Sequence, residues 1–203
     1  MGKGTKLALV VTALAVAAAT IAGVTIIRHG FSARDEPTAI EAFVARRVRL
    51  LAIPREAREK RNPIVSLSAE LLADARAHFA DHCAMCHAND GSGNTPIGRN
   101  LYPKAPDMRK AATQSLSDGE IFYIIHNGIR LTGMPAWGEA DPGADEDSWK
   151  LVHFIRHLPQ LTSEELAEMK KLNPKGPHEL EEEKEVDEFL RGEGAQVPAP
   201  HQH

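Results

Sequence analysis

The stretch Cys83-Ala84-Met85-Cys86-His87 is the feature of this 203-residue chain on which the prediction of its fold rests. Its two thiols are the only cysteines in the sequence, so none remains for a separate disulfide or a four-cysteine metal site. A histidine directly follows the second thiol. All three side chains lie within about one and a half helical turns, so the chemistry that uses them is local.

Covalent haem attachment is the chemistry that this pattern favours. Two thiols three positions apart reach the two vinyl groups along one edge of a haem, and the adjacent His87 can bind the iron. A thioredoxin-like redox pair, a zinc site with His78 or His82, and a local disulfide are alternatives. The first lacks its strand–helix context, and the second has no recognisable zinc spacing. We therefore predict one haem c, bound through Cys83 and Cys86 with His87 on the iron.

A methionine is the expected second axial ligand, because a thioether stabilises ferrous iron. The candidates are Met85, Met108, Met134 and Met169. The first lies inside the attachment stretch and the last beyond the apparent domain, whereas Met108 is not excluded by reach. The run Gly133-Met134-Pro135 combines a residue that permits close backbone approach with one that sets the exit of the turn. We predict Met134 as the ligand, with Met108 as the alternative.

Helical periodicity and capping residues predict helices on both sides of this motif, and no strand period is visible. Residues 88–113, which are rich in Gly, Pro and Asn, form a loop that would pack on a bound group. The predicted helices run from Ala69 towards His82 after the N-cap Ser68, from Ser117 to Asn127, from Asp145 to Leu158, and onward from the capping pair Thr162 and Glu165. The chain therefore predicts an all-α fold wrapped around one covalent haem, with helical extensions.

The N-terminal segment, residues 1–30, is predicted to be a transmembrane anchor. Residues 7–27 carry no charge, and at 1.5 Å per residue they are long enough to cross a bilayer core of about 30 Å. A cleaved signal peptide is the alternative, with Ala17-Ala18-Ala19 as a possible cleavage site. The apolar run continues past that site to Ile27, which favours a retained anchor in the lipid bilayer.

Two further segments flank the predicted haem domain of residues 65–160. Residues 31–64 form a basic amphipathic helix, over 37–51, and a charged linker; the apolar stripe of the helix either lies on anionic lipid or docks on the haem domain. Residues 161–203 form an acidic helical or disordered extension. The net charge is +6 over residues 1–64, −4 over 65–160 and −6 over 161–203.

Together these features resemble the class I mono-haem c-type cytochromes. The resemblance covers about residues 65–160 and rests on the Cys83–His87 motif, the loop after it, and the Gly133-Met134-Pro135 turn. It implies that the first and last helices cross, with Ala75 where relatives usually have glycine, opposite Phe154. It also implies that the haem domain is exported across the cytoplasmic membrane.

We expect single-electron transfer in a membrane-associated respiratory chain, with redox proteins as partners and neither nucleic acid nor a small-molecule substrate. The alternatives are a permanent haem subunit of a membrane oxidoreductase complex and, less favoured, an open-iron peroxidase or gas sensor. No carboxylate pair, nucleophile triad or phosphate loop indicates other catalysis. The expected location is a bacterial cytoplasmic membrane, with one span and the haem domain on the periplasmic side, or the periplasm itself after signal cleavage. His126, His153 and His157 are interpreted as helix-surface residues.

Overall fold

The computed structural model describes residues 2–30, 32–66, 68–138, 141 and 145–191. Every secondary-structure element assigned within those ranges is a helix. The predicted all-α class is confirmed. The chain divides into two compact units, Met1–Glu36 and Pro37–His203. Residues 192–203, which include the terminal His201-Gln202-His203, lie outside the described residues.

The first unit consists mainly of one helix, α1 (Lys3–His29). Its large apolar side chains, from Leu7 to Ile27, are exposed. The hydroxyls of Thr20 and Thr25 donate to the carbonyls four residues earlier at 2.9 and 2.8 Å, so these polar groups are satisfied within the helix. By length and composition this helix is able to cross a membrane, a test that a signal sequence also passes.

The second unit is built on three helices, α4 (Ala69–His78), α7 (Asp118–Asn127) and α8 (Glu146–His157). Helices α4 and α8 pack against each other, and Ala75 and Phe154 are both buried, as the family resemblance implies. The Phe79 and Phe154 rings lie 5.0 Å apart, and the Phe122 and Trp149 rings stack at 4.0 Å. These aromatic pairs fill the core between the three helices.

Local capping marks the start of these three helices, as the sequence predicts. The Ser68 hydroxyl accepts from the Leu71 amide, and Asp145 accepts from the Ser148 amide. Ser117 and Glu120 form a complete capping box at the start of α7. The remaining helices of this unit are α2 (Ala39–Ala52), α3 (Arg55–Arg58), α5 (Ala84–His87), α6 (Ala111–Gln114), α9 (Ser163–Leu172) and α10 (Pro177–Leu190).

Residues 55–62, which the sequence predicts as a charged linker, pack together with their neighbours up to Ile64 against α7 and α8. The Ser117 hydroxyl donates to the Arg58 carbonyl at 2.8 Å, and the Asn62 amide donates to the Trp149 carbonyl at 3.0 Å. A Cβ at Gly119 would lie 2.0 Å from the Ala57 carbonyl oxygen, so only glycine allows this close approach. The charged composition concealed the packing because the contacts use backbone groups.

Helix α9 also belongs to the packed unit, although the sequence places the end of the haem domain at residue 160. Met169 has no exposed surface and lies in the main core cluster. Arg76 of α4 forms salt bridges with Glu165 at 3.2 Å and with Glu168 at 2.5 Å. The boundaries predicted from the sequence at residues 64 and 160 stay predictions. Helix α9, however, shares the main hydrophobic core with the helices before residue 160.

Candidate haem site

The attachment stretch follows α4 through a π-helical turn, Phe79–Cys83, which the sequence did not predict. Such turns insert one residue into a helix and are frequent at functional sites. Phe79 and Ala80 are fully buried and anchor the turn in the core. The turn therefore sets the direction in which Cys83, and the short helix α5 after it, leave the core.

The chain reverses immediately after His87. Ala88 has φ +61°, which is uncommon for a residue with a Cβ, and its amide donates to the Ala84 carbonyl at 2.8 Å. The loop then returns to the motif: the Gly93 amide donates to the His87 carbonyl at 2.8 Å, and Thr95 Oγ1 donates to the Cys86 carbonyl at 3.2 Å. The motif carbonyls are thus satisfied by the loop that follows it.

Two glycines allow the loop to fold tightly beside the motif. A Cβ on Gly98 would lie 2.2 Å from the Cys86 carbonyl oxygen, and a Cβ on Gly93, where φ is +73°, would lie 2.4 Å from the Ala105 carbonyl oxygen. The Ala105 amide donates to the Gly98 carbonyl at 3.0 Å. The loop predicted to pack on a bound group is therefore also held by its own backbone hydrogen bonds.

Burial disfavours the thiolate form of both cysteines of the motif. Burial, and next the charge of Cys86, raise the pKa of Cys83 to about 12, and burial also raises the pKa of Cys86. Both thiols are therefore protonated at neutral pH. Both are free cysteines, half-buried, three positions apart.

The imidazole of His87 is in the state that iron binds. Burial lowers its pKa, so the ring is neutral at pH 7. Its Nδ1 is buried and makes no hydrogen bond within the described residues. A half-buried, neutral ring with an unpartnered Nδ1 fits the role of axial ligand, and two adjacent thiols complete the donor set that haem c requires.

The segment that carries Met134 is closed by backbone bonds. Gly128, with φ +65°, ends α7, and the Ile129 amide donates to the Met134 carbonyl at 3.1 Å. The Met134 amide in turn donates to the Thr132 hydroxyl at 3.1 Å. The backbone polar groups of Met134 are satisfied inside this loop, and its half-buried side chain is left for another contact.

The far end of this segment is attached to the last turn of α7. The Trp137 amide donates to the Ile125 carbonyl at 3.1 Å, and the Gly138 amide donates to the His126 carbonyl at 3.0 Å. A Cβ on Gly138 would lie 1.9 Å from His126 Nδ1. Residues 128–138, called the Met134 loop below, are therefore attached to α7 at both ends.

The other candidate methionines have structural surroundings of their own. Met108 is 7 % exposed and Met169 is fully buried, and both belong to the main core cluster. Met85 is 53 % exposed on the attachment stretch. This distribution favours Met134 over the three others as the second axial ligand.

The structure corrects the interpretation of three histidines as surface residues. His126 Nδ1 lies 2.5 Å from the buried Asp145 carboxylate, His153 Nε2 lies 2.7 Å from the Ile64 carbonyl oxygen, and His157 Nε2 lies 3.0 Å from Glu165. Each is half-buried. Sequence reasoning missed these partners because only the His157 partner lies nearby in the chain. None of the three is placed as an iron ligand.

Comparison with known proteins identifies a family and a relative to which this chain is similar. Residues 70–155 match the family described as cytochrome c oxidase, cbb3-type, subunit III. The chain is also similar to cytochrome c6 of Cladophora glomerata, with 34 % identity over 86 residues, which cover 42 % of this chain and 86 % of the relative. The family match includes the attachment motif, the loop after it and the Met134 loop.

Proposed function

This chain belongs to the cytochrome c family, and on that premise we propose that it carries single electrons in a membrane-associated respiratory chain, with His87 and Met134 as the axial ligands. Haem c is its cofactor, bound through Cys83 and Cys86 of a motif of the cytochrome c type. Bound haem supplies an iron that alternates between the ferric and ferrous states.

The observation that carries the ligand proposal is the construction of the Met134 loop. Its backbone is closed on itself and attached to α7 at two places, so the loop presents one half-buried thioether from a supported position. A thioether opposite a neutral imidazole raises the reduction potential and leaves no open coordination position. That arrangement suits electron transfer rather than a peroxidase or a gas sensor.

The ligand test uses the far-red absorption band that a methionine–iron bond gives to ferric cytochromes. We expect the purified haem protein to show this band and Met134→Ala to lose it, while the pyridine haemochrome spectrum still reports covalent haem. Met108→Leu is the matched control and keeps the band. A band that survives Met134→Ala, or that disappears in Met108→Leu, contradicts the assignment.

We further propose that α1 is retained as a single span in a bacterial cytoplasmic membrane, with the haem domain on the periplasmic side. The uncharged run of residues 7–27 and the exposure of its apolar side chains support this placement. The mass of the intact protein distinguishes an anchor from a cleaved signal sequence. Cleavage of the haem domain by protease added to spheroplasts is expected, and protection of the domain contradicts the orientation.

A second candidate function is a permanent haem subunit of a membrane oxidoreductase complex. The match of residues 70–155 to the family of cbb3-type oxidase subunits favours it. Purification in mild detergent separates the two candidates: a stoichiometric set of other chains that stays bound through size-exclusion chromatography favours the subunit, and a single haem protein favours the free carrier.

A further inference from the structure

The amphipathic helix α2 contacts the rest of the second unit through residues outside its apolar stripe. Ile53, just after the helix, is 2 % exposed, and Arg49 and Leu50 are half-buried. The Tyr102 hydroxyl donates to the Glu41 carboxylate at the other end of the helix. These residues fix which side of α2 faces the cytochrome core.

The apolar stripe of α2 therefore points away from that core. Its members are between 50 and 78 % exposed: Ile40, Phe43, Val44, Val48 and Leu51. Their spacing of three and four residues places them on one side of the helix. Of the two predicted roles of this stripe, docking on the haem domain is not what the structure shows.

The charges around the stripe suit an anionic lipid surface. Arg47 lies within the stripe, with its guanidinium 5.3 Å from the centre of the Phe43 ring. A protein interface would have to desolvate this cation and pair it, whereas at a bilayer surface the long side chain reaches the lipid phosphates while its stem stays in apolar surroundings. Residues 37–64 as a whole carry a net charge of +4, which an anionic surface attracts.

The position of α2 in the chain also brings it near a membrane. Only residues 30–38 separate α2 from the end of α1. Nine residues span at most about 32 Å when fully extended. If α1 crosses the bilayer, as proposed above, α2 is held within that distance of the surface.

We propose that α2 lies in the interface of an anionic bilayer, with Ile40, Val44, Val48 and Leu51 in the acyl boundary and Arg47 at the lipid phosphates. The cytochrome core is then held against the membrane by a second contact beyond α1, and its rotation about the anchor is restricted. The lipid contact itself requires neither the haem nor Met134; the argument from chain length rests on the proposed retention of α1.

The test measures the depth of single positions on α2 in the full-length haem protein. Cys83 and Cys86 are consumed by haem attachment, so an introduced cysteine is the only free thiol and accepts a bimane label. Val44→Cys lies in the stripe, and Ala45→Cys, about 100° away around the helix, is the matched exposed control. Both proteins are placed in nanodiscs with or without anionic phosphatidylglycerol, and with lipids that carry a doxyl quencher on the acyl chain.

We expect quenching at position 44 to be several-fold stronger than at position 45, and stronger in anionic than in neutral discs. Arg47→Glu should reduce the quenching at position 44. Equal quenching at the two positions, or none at position 44, overturns the proposal. A label at position 44 that is shielded from water but not quenched by lipid indicates a protein partner and also overturns it.

The outcome is separable from that of the proposed function. Loss of the far-red band in Met134→Ala concerns the iron ligand and leaves the quenching at position 44 unchanged. If the intact mass shows that α1 is removed, the mature protein is mixed with vesicles of phosphatidylglycerol or phosphatidylcholine. Sedimentation with the anionic vesicles alone supports the lipid contact, and no sedimentation overturns it.

Discussion

Met169 is the residue that joins the C-terminal extension to the cytochrome core. Its side chain is fully buried in the same cluster as Phe79 and Phe154, which lie 90 and 15 positions earlier in the chain. An isolated methionine usually fills gaps in a core, and here it does so from outside the region matched by the family. The stability of the haem domain therefore depends on a helix beyond residue 155.

Met169→Ala is expected to destabilise the protein by about 2–5 kcal/mol, because it removes buried methylene groups and leaves a cavity. Urea unfolding followed at the haem absorption measures the change. Leu172→Ala, on the same helix but 45 % exposed, should cost about 0.5 kcal/mol or less. Equal losses in both variants would show that α9 does not share the core.

At the scale of elements, the Met134 loop is attached to α7 rather than to the haem attachment stretch. Gly138 packs on the ring of His126, and this ring is held by the buried Asp145 at the start of α8. The position of the loop thus depends on the junction between α7 and α8. A substitution at this junction should therefore displace the proposed ligand Met134 without contacting it directly.

Gly138→Ala is expected to weaken the far-red band, because the new Cβ would lie 1.9 Å from His126 Nδ1 and force the loop to move. Gly176→Ala, outside the loop, is the control: its Cβ would lie 3.8 Å from the nearest neighbour, and the band should be kept. A Gly138→Ala protein with an unchanged band would mean that this junction does not position Met134.

The contact between α3 and α7 reverses the usual effect of replacing a helical glycine. Alanine is normally favoured over glycine in a helix by about 1 kcal/mol. At Gly119, however, the added Cβ would lie 2.0 Å from the Ala57 carbonyl oxygen and 2.9 Å from that of Lys60. These are backbone atoms, so the segment itself must move away.

Gly119→Ala is therefore expected to release residues 54–64 and to speed tryptic cleavage at Arg55, Arg58 and Lys60. Gly176→Ala, where the new Cβ would lie 3.8 Å from its nearest neighbour, the Glu179 carboxylate, serves as the control and should leave that cleavage rate as in the original protein. Unchanged cleavage in Gly119→Ala would contradict the packing of this segment.

At the scale of the whole molecule, two carboxylates join separate helices, the buried Asp145 and the half-buried Glu165. Asp145 accepts from the Ser148 amide at 3.0 Å and lies 2.5 Å from His126 Nδ1, so it joins α7 to α8. Burial opposes its ionisation, but the hydrogen bonds from His126 and Ser148 outweigh this effect and hold the pKa of Asp145 below its usual value. Glu165, which meets Arg76 and His157, also has a lowered pKa, because its hydrogen bonds outweigh burial.

A lowered pKa in the folded state stabilises the protein wherever the carboxylate is ionised. This stabilisation is present above about pH 4, the usual value for aspartate and glutamate, and is lost as the pH falls through the lower folded-state value. Asp145→Asn should reduce the free energy of unfolding at pH 7 by about 1–3 kcal/mol and make it depend less on pH in the acid range. Glu164→Gln, at an exposed carboxylate of α9, should change neither quantity, and equal acid sensitivity of Asp145→Asn and the unmodified protein would contradict this role.

The sequence by itself determined the features that depend on neighbours within three or four positions. The haem motif, the N-caps Ser68, Ser117 and Thr162, and the uncharged run of residues 7–27 are of this kind, since a helix start or an attachment site is complete within one turn. The end of α7 at Gly128 was predictable for the same reason.

Only the tertiary structure decided which surfaces meet. Four features depend on contacts across longer stretches of chain. They are the burial of Met169, the packing of residues 54–64, the pair His126 and Asp145, and the outward direction of the α2 stripe. An amphipathic pattern shows that a helix has an apolar side but not what covers it. The charged composition of residues 55–62 suggested a linker. Hydrogen bonds to backbone carbonyls nevertheless hold this segment to α7 and α8, and a pattern of side chains gives no sign of such bonds.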